Sequence, residues 1–526
     1  MRRALLTAAL ACAATAADAQ SRGANVHSYL FQITLPDTGS SIAGMAGLRV
    51  ANPNGADSLA IDILLPVDSV TVNAHSVRVG RRDGGITVPL DSHAPWDLVD
   101  VWYHGTPTDG LIISRDPAGR WQAFGDNWPN RGRHWLPLVD TPSDKAIVYW
   151  IIDAPARLAV VANGVLLSHI PQGPRTRWEW VEEHPLPTYL MVLAAAEMRA
   201  DTLRDTIGVT QRVWRSPDVA KTPPAFAEAP AIVGFYSSIV APFPYRRLDH
   251  LQSSTRFGGM ENATEIFYAD QTFRSQTMSV GLIAHETAHQ WFGDAVTEQR
   301  WAELWLSEGF ATYFANLYTE HSRGHDAFVG AMRRLRDEIL GDEKAVARRP
   351  VIDTIETDPL QLLNTNSYQK GGFVLHMARR LVGDSAFFRG VRDYWWAHRD
   401  SNATSADLRA ALEERSGKEL GWFFDQWLRR PGYPELATGW SYDRAARRVY
   451  LEITQGPRFG SFRFPLVVEV TRSDGTTARA TVEVPARAQS RVAVPLELAA
   501  PPRGLVLDPD ADLLAAIGQP RMSKGK

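Results

Sequence analysis

The chain has 526 residues, of which 44% are hydrophobic and 22% are charged, and its formal net charge is −3. This composition is that of a globular protein, and the length predicts several domains. Nothing in this composition favours nucleic acid, which would call for a basic face or an isoelectric point well above neutral, so no nucleic-acid partner is expected.

The first residues have the pattern of an export signal. Two arginines precede an apolar run, and the ADA triplet at residues 17–19 fits a small-x-small cleavage site, so residues 1–19 are interpreted as a signal peptide. The only cysteine, Cys12, lies in this segment. A lipid anchor there is disfavoured, because Ala9 stands where a bulky aliphatic residue is expected. We therefore expect a periplasmic or secreted protein without a transmembrane segment.

The remaining chain divides into parts by its hydrophobic pattern. Residues 20–205 contain short alternating segments such as YLFQITL and LAIDILL, which predict an antiparallel β domain. Residues 206–432 are mostly helical in spacing. Strand patterns return over 433–518 and predict a small β-sandwich, and a polar, disordered tail is expected at 519–526. The helical segments lie at 226–241, 278–292, 303–319, 325–340, 368–382, 385–398 and 405–428.

The stretch HETAHQWFGD, beginning at His285, has the spacing of a metal site. His285 and His289 are four residues apart, so on a helix both side chains share one face and can bind one ion. Glu286 is rotated away from that face by one residue, so it can reach a metal-bound water without being a ligand. The segment therefore predicts two ligands and an adjacent base.

A third ligand is expected from the next helix, which offers Glu303 and Glu308. A short loop near residues 293–294 lets this helix return antiparallel to the first, and the spacing favours Glu308. Two histidines and one glutamate leave a fourth position for water, which is the pattern of catalytic rather than structural zinc. One Zn²⁺ per chain is expected.

Four stretches of the sequence together resemble the aminopeptidase N family of zinc metallopeptidases (peptidase family M1, gluzincin type). They are RHWLPLVDTPSDKA (133–146), FGGMENATEI (257–266), HETAHQWFGDAVTEQRWAELWLSEGFATYF (285–314) and SYQKGGFVLHM (367–377). The resemblance implies a multidomain α+β protein with an N-terminal antiparallel β saddle, a thermolysin-like α-rich zinc metallopeptidase domain and a small C-terminal β-sandwich. It also implies that the long helical C-terminal domain of larger members is absent, which would leave a more open cleft.

The resemblance further implies a role for each residue near the metal. Zinc on His285, His289 and Glu308 would lower the pKa of a bound water and polarise the scissile carbonyl. Glu286 would be the general base and would later deliver the proton to the leaving amine. Tyr368 would donate its phenol to the developing oxyanion.

The FGGMENATEI stretch resembles the part of the family that recognises a free N-terminus. Glu261 would pair with the α-ammonium of the substrate. In the family a second amine contact, from Glu or Gln, precedes the arginine of the RHWLP stretch, whereas this chain has Asp126, so Asp126 is the candidate for that contact. The other residues expected at the substrate are Gly258, Gly259, Met260 and Asn262.

The sequence thus predicts a zinc-dependent aminopeptidase that hydrolyses the N-terminal peptide bond of peptides with a free N-terminus. A zinc endopeptidase is the nearest alternative, and Glu261 argues against it because an endopeptidase needs no ammonium anchor. A peptide-binding scaffold with a decayed site would be expected to lose Glu286, Tyr368 or a metal ligand, and all are present. Neither the preferred N-terminal residue nor the oligomeric state is encoded in a single stretch.

Overall fold

The computed structural model describes residues 23–203 and 208–522, with the backbone alone for the last two. The predicted signal peptide, residues 1–19, lies outside the described residues, as does the end of the predicted tail, 523–526. The described chain divides into two compact units. The first comprises the chain up to Gly234 together with Phe243–Val280, and the second comprises Phe235–Pro242 together with the chain from Gly281 onward.

The first unit is built mainly from strands. In chain order they are β1 (Asn25–Thr34), β2 (Ile42–Ala51), β3 (Ser58–Asp62), β4 (Val67–Val72), β5 (His75–Ser76), β6 (Gly80–Arg82), β7 (Gly85–Pro89), β8 (Trp96–Gly105), β9 (Leu111–Arg115), β10 (Trp121–Gly125), β11 (Lys145–Pro155), β12 (Ala159–Ala162), β13 (Val165–Gln172), β14 (Arg175–Pro187), β15 (Leu193–Ala196), β16 (Arg199–Thr202), β17 (Thr210–Arg215), β18 (Arg247–Ser253), β19 (Gly259–Met260) and β20 (Glu265–Ala269).

The largest sheet of this unit has eight strands in the order β13-β14-β11-β1-β2-β8-β4-β5. Its strands follow the alternation seen in the sequence: in β1, Tyr29, Phe31 and Ile33 are buried while the residues between them are less so. Most neighbours are antiparallel, but β1 and β11 run parallel. One face of the sheet therefore packs on the core of the unit.

A five-stranded sheet in the order β16-β17-β18-β20-β19 ends the first unit. β17, β18 and β20 are parallel neighbours, whereas β19 pairs antiparallel with β20 at the sheet edge. The strand β18, with the sequence RLDHLQS, is buried along its whole length despite its polar residues. The sequence analysis assigned no element to residues 242–277, because β18 shows neither alternation nor an apolar run.

The helices lie mostly in the second unit. They are α1 (Ala229–Ile239), α2 (Asp270–Arg274), α3 (Val280–His289), α4 (Trp305–Arg323), α5 (His325–Gly341), α6 (Gly371–Val382), α7 (Asp384–His398), α8 (Ser405–Ser416) and α9 (Gly421–Leu428).

Every segment with predicted helical spacing contains a helix, so this part of the prediction is confirmed. The segment 405–428 is two helices rather than one, since Gly417 caps α8 in the left-handed conformation with φ +65°. The start of α8 is capped, because the backbone N–H of Thr404 donates to the Asp407 carboxylate at 2.8 Å.

The second unit ends in two small sheets. Its strands are β21 (Val296–Glu298), β22 (Ser401–Ala403), β23 (Glu435–Asp443), β24 (Arg448–Gln455), β25 (Phe464–Thr471), β26 (Thr477–Val484), β27 (Gln489–Ala493), β28 (Gly504–Leu507), β29 (Ala516–Ile517) and β30 (Arg521–Met522). One sheet has the order β27-β24-β23-β29, and the other has the order β26-β25-β28. β30 pairs in parallel with β23, so residues 521–522 of the predicted tail form a strand.

The protein is therefore multidomain, with mixed sheets and helices, and the sheets of the described residues form no closed barrel. Among residues 23–203 and 208–522, no helix has both the length and the apolar character needed to span a membrane.

Candidate functional site

Helix α3 places the two predicted histidines one turn apart in the second unit. Ile283, Ala284 and Ala288 are buried, so this helix is anchored in the core by its apolar side chains. The Nε2 atoms of His285 and His289 lie 3.2 Å apart, and their ring planes are nearly perpendicular. Both imidazoles therefore point to the same position in space, as the four-residue spacing predicts.

Helix α4 brings the carboxylate of Glu308 to the same position. Its Oε2 atom lies 3.2 Å from Nε2 of His285 and 3.3 Å from Nε2 of His289. Glu303 is directed elsewhere and accepts hydrogen bonds from the backbone and hydroxyl of Ser405. Glu308, and not Glu303, thus completes a triangle with the two histidines.

The dimensions of this triangle suit a metal ion. Zinc bonds of about 2.0–2.2 Å to nitrogen and oxygen separate tetrahedral ligand atoms by about 3.3–3.6 Å. The three distances in the triangle are 3.2, 3.2 and 3.3 Å. Together, His285, His289 and Glu308 are a group that could hold a metal ion.

Burial and mutual interaction shift the pKa values of the side chains in the triangle. Burial lowers the pKa of His285, which favours its neutral imidazole. Burial alone would raise the pKa of Glu308, but the imidazoles of His289 and His285 outweigh it, and the net shift is downward. A neutral imidazole and an ionised carboxylate are the forms in which these side chains bind metals.

Ser307 orients the second histidine. Its Oγ atom lies 2.9 Å from Nδ1 of His289, and the carbonyl oxygen of Phe292 lies 3.2 Å from the same nitrogen. Gly293 permits this approach, because a Cβ there would lie 2.4 Å from the serine Oγ, and its φ is +123°. The sequence analysis missed Ser307, and its place directly before Glu308 was the available signal.

Tyr368 lies against the triangle. It belongs to a π-helical turn, Asn366–Lys370, and its hydroxyl donates to Oε1 of Glu308 at 2.8 Å. Its ring is nearly parallel to that of His285, with centroids 6.0 Å apart. The phenol proton is therefore close to any group that the three ligand atoms would hold.

Two glycines allow the turn with Tyr368 to approach α4. A Cβ at Gly309 would lie 2.9 Å from the backbone of Gly371, so the two backbones are in direct contact. The buried Lys370 fixes the end of the turn by donating from Nζ to the carbonyl oxygen of Arg430 at 3.2 Å. Burial lowers the pKa of Lys370 to about 7.

Glu286 follows His285 on α3 and is buried, with 4% of its surface exposed. As the sequence predicts, it is not a member of the triangle. It is the carboxylate of the helix that carries both histidines, and one of its oxygens lies within 4.8 Å of a ring nitrogen of His289, close enough for proton exchange near the triangle.

The GGMEN stretch lies in the first unit, on and after the edge strand β19. Gly259 and Met260 form the strand, and no atom comes within 4 Å of a Cβ placed at Gly258. Because β19 ends its sheet, its outer backbone edge pairs with no further strand of that sheet. This arrangement suits the addition of an extended peptide.

Glu261 and Asn262 follow this strand, and both side chains are buried. Neither polar atom of the Asn262 side chain has a hydrogen-bond partner among the described residues. The backbone beyond them is fixed by Asn163, whose Nδ2 donates to the carbonyl oxygen of Ala263 at 2.9 Å. Asn163 was not predicted, since it lies about a hundred residues away in the chain.

Asp126 is held inside the first unit. Its side chain is fully buried, and its Oδ2 lies 3.1 Å from an Nη atom of Arg131. Burial raises the pKa of Asp126, while Arg131 opposes that rise. The carboxylate predicted to bind an amine therefore already has an internal cation as its partner.

Comparison with known proteins identifies relatives of the chain. The profile of the peptidase family M1 domain matches residues 227–427. The tricorn protease-interacting factor F2 of Thermoplasma acidophilum is 27% identical over 427 residues, which cover 77% of this chain and 53% of that protein. Aminopeptidase N of Streptomyces lividans is 27% identical over 447 residues, covering 78% and 51%.

A third relative, aminopeptidase N of Lactococcus lactis, is 28% identical over 332 residues, which cover 58% of this chain and 38% of that protein. The aligned part of the chain thus spans about half the length of these curated relatives, or less. The resemblance inferred from the four sequence stretches is confirmed by these matches.

Proposed function

We propose that the chain, which matches the peptidase family M1 domain over residues 227–427, is a zinc-dependent aminopeptidase that hydrolyses the N-terminal peptide bond of peptides. The observation that carries the proposal is the convergence of His285, His289 and Glu308 beside the Tyr368 hydroxyl. The printed names of two relatives, both aminopeptidase N, support the same activity.

The proposal includes a domain organisation and a destination. Residues 20–205 would form the β saddle, residues 206–432 the thermolysin-like domain and residues 433–518 a β-sandwich. Residues 1–19 would direct export to the periplasm or the exterior. The mixed sheets of the first unit, the helices of the second and its terminal small sheets are compatible with this organisation.

The three ligand side chains would hold one zinc ion. When bound, the ion would act as a Lewis acid that activates water and polarises the scissile carbonyl. Glu286 takes the proton of the attacking water and delivers it to the leaving amine. The Tyr368 hydroxyl donates to the oxyanion that develops on the carbonyl oxygen. In the absence of substrate that hydroxyl is kept in place by Glu308.

Recognition of a free N-terminus is assigned to the GGMEN stretch. Glu261 pairs with the α-ammonium group, and Asn262 offers a buried amide whose atoms have no protein partner among the described residues. Gly258, Gly259 and Met260 line the path of an extended peptide along β19. Asp126 remains a prediction as a second amine contact, and its pairing with Arg131 argues for a supporting role.

The proposal is tested with aminoacyl chromogenic amides and their N-acetylated twins, each hydrolysed with and without a zinc chelator. Loss of a buried ammonium–carboxylate pair costs about 2–5 kcal/mol, so acetylation is expected to reduce the rate at least about thirtyfold. A Glu261→Gln variant is expected to lose most of this discrimination. Equal hydrolysis of both twins by the native protein would contradict the aminopeptidase assignment and favour an endopeptidase. Hydrolysis that persists with the chelator would contradict the zinc dependence.

A further inference from the structure

A cavity in the second unit lies apart from the residues assigned above to catalysis. It is bordered by α6, α9 and the strand β25, and its volume is about 160 Å³. A cavity of about 150 Å³ with apolar walls can hold one benzene molecule. The space therefore admits one ring or one branched aliphatic group and excludes a folded peptide segment.

The inner wall of the cavity is apolar. Met377, Phe423, Trp427, Phe464 and Leu513 line it, and each of these side chains is buried. Aromatic and aliphatic walls of this kind favour an apolar ligand body.

The rim of the cavity is polar and carries excess positive charge. Arg380 and Arg463 line the cavity and are exposed, so it opens to solvent on their side. Asp512 is the one acidic residue of the lining. Its carboxylate already has two partners within the protein, since it lies 3.2 Å from Nε2 of His376 and 3.6 Å from Nε of Arg380.

Arg463 is the cation at the rim that remains available. Its guanidinium lies 4.5 Å from the ring centroid of Trp422, and within the described part of the chain it forms no ion pair. Its backbone is clamped on both sides by Gln426, which accepts from the Arg463 N–H at 2.8 Å and donates to its carbonyl oxygen at 2.9 Å. The charge is thus held over the cavity by a fixed backbone and an aromatic ring.

We propose that this cavity binds a small monocarboxylate with one ring-sized apolar group, whose carboxylate is recognised by Arg463. The volume sets the size of the apolar group, and the unpaired cation sets the charge. Free hydrophobic amino acids belong to this class, and so do simple aryl and branched alkyl carboxylates. The binding site itself is independent of the proposed peptidase activity.

Occupation of the cavity would touch the element that carries Tyr368. Met377, Arg380 and Leu381 all lie on α6, which continues directly from the π-helical turn with Tyr368. A free amino acid in the cavity would be a product of the proposed reaction. Contact between a product and the helix that follows Tyr368 is the one consequence that rests on the proposed function.

The test uses the full holoenzyme and ¹⁹F NMR titration with 4-fluorophenylacetate as the probe. The neutral twin is 4-fluorophenylacetamide, which has the same ring and nearly the same shape. An exposed ion pair strengthens binding by up to about fivefold, so the carboxylate should bind about two- to fivefold more tightly than the amide. A titration with 4-fluorophenylalanine distinguishes the two kinds of ligand. If it binds more tightly than 4-fluorophenylacetate, the ligand is a free amino acid; if it binds more weakly, the ligand is a simple carboxylate.

Two variants locate the binding. Arg463→Glu should weaken the carboxylate at least about threefold while changing the amide less than about twofold. Leu381→Trp fills the cavity and should abolish binding of both. Arg491→Gln is the matched control, since Arg491 is exposed, stacks on Tyr450 at 3.8 Å and does not line the cavity.

The contrary results are equally specific. Absence of saturable binding to the native protein at millimolar probe would overturn the proposal. So would carboxylate binding that Arg463→Glu and a folded Leu381→Trp leave unchanged, because that would place the probe at the metal centre or elsewhere. Equal affinity for carboxylate and amide would overturn the role of Arg463.

Discussion

Two buried glutamates, one in each unit, respond to burial in opposite ways. Glu308 faces two imidazole nitrogens and the hydroxyl of Tyr368, and its pKa is shifted downward. Glu265, on β20, is fully buried, and neither of its carboxyl oxygens accepts a hydrogen bond from the described residues. Burial raises its pKa well above the usual value, although Arg247 opposes the rise.

The difference shows what makes a buried carboxylate a functional group. Both residues are glutamates in regular secondary structure, and both have lost their water. At Glu308 the surroundings stabilise the ionised form, so a cation can be bound there. At Glu265 they favour the neutral acid, which costs stability whenever it must ionise. The following predictions test this contrast, beginning with the largest effect.

The first prediction separates chemistry from metal binding. Glu286→Gln removes the proposed base while the three ligand atoms stay in place. General base catalysis contributes about 10²–10⁴-fold, so kcat should fall by this factor with zinc content unchanged. The Glu265→Gln variant is the matched buried-glutamate control and should keep most of the activity. A Glu286→Gln enzyme that retains native kcat would contradict the assigned role.

The second prediction concerns the hydroxyl that donates to Glu308. Tyr368→Phe removes one donor to the developing oxyanion and should lower kcat by about 10²–10³-fold with a smaller change in KM. Zinc content, measured alongside, should stay at the native level. Equal loss of zinc and activity would instead make Tyr368 a support of the metal site.

The third prediction tests the orientation of His289. Ser307→Ala removes the group beside its Nδ1 atom and should weaken zinc binding by about 10–100-fold. Competition with a chelator of known affinity measures this without reference to activity. Ser307→Thr keeps a hydroxyl and should restore most of the affinity. Identical zinc affinities in all three proteins would show that the carbonyl oxygen of Phe292 is sufficient to orient His289.

The fourth prediction concerns stability in the first unit. The pKa of Glu265 is raised on folding, so its contribution to stability is full below the unfolded pKa and is lost as pH rises toward the folded value. Glu265→Gln cannot ionise, and its midpoint of thermal unfolding should therefore rise relative to the native protein from about pH 5 to about pH 8. A difference that is constant over this range would show that folding does not raise the pKa of Glu265.

The sequence predicted the local features of the site well, because they depend on spacing along one element. His285 and His289 need only a helix, and the helix is present. The choice of Glu308 over Glu303 required the return of a second helix, which the short loop made plausible. The break of the segment 405–428 at Gly417 follows from local capping.

Contacts between distant parts of the chain were not predictable in the same way. The support of Ala263 by Asn163 depends on which strands become neighbours. The buried strand β18 was missed because its polar residues are satisfied by partners such as Arg212, which bonds to Asp249. Periodicity detects burial of apolar side chains and does not detect buried charge pairs.

The most direct test of the account is the zinc content of three proteins after equilibrium dialysis: the native chain, Glu308→Gln and Glu265→Gln. The account predicts one zinc per chain for the native protein and for Glu265→Gln, and a large loss for Glu308→Gln, because only Glu308 faces the two imidazoles. Zinc bound equally by all three proteins would contradict the assignment of the His285–His289–Glu308 triangle as the metal centre.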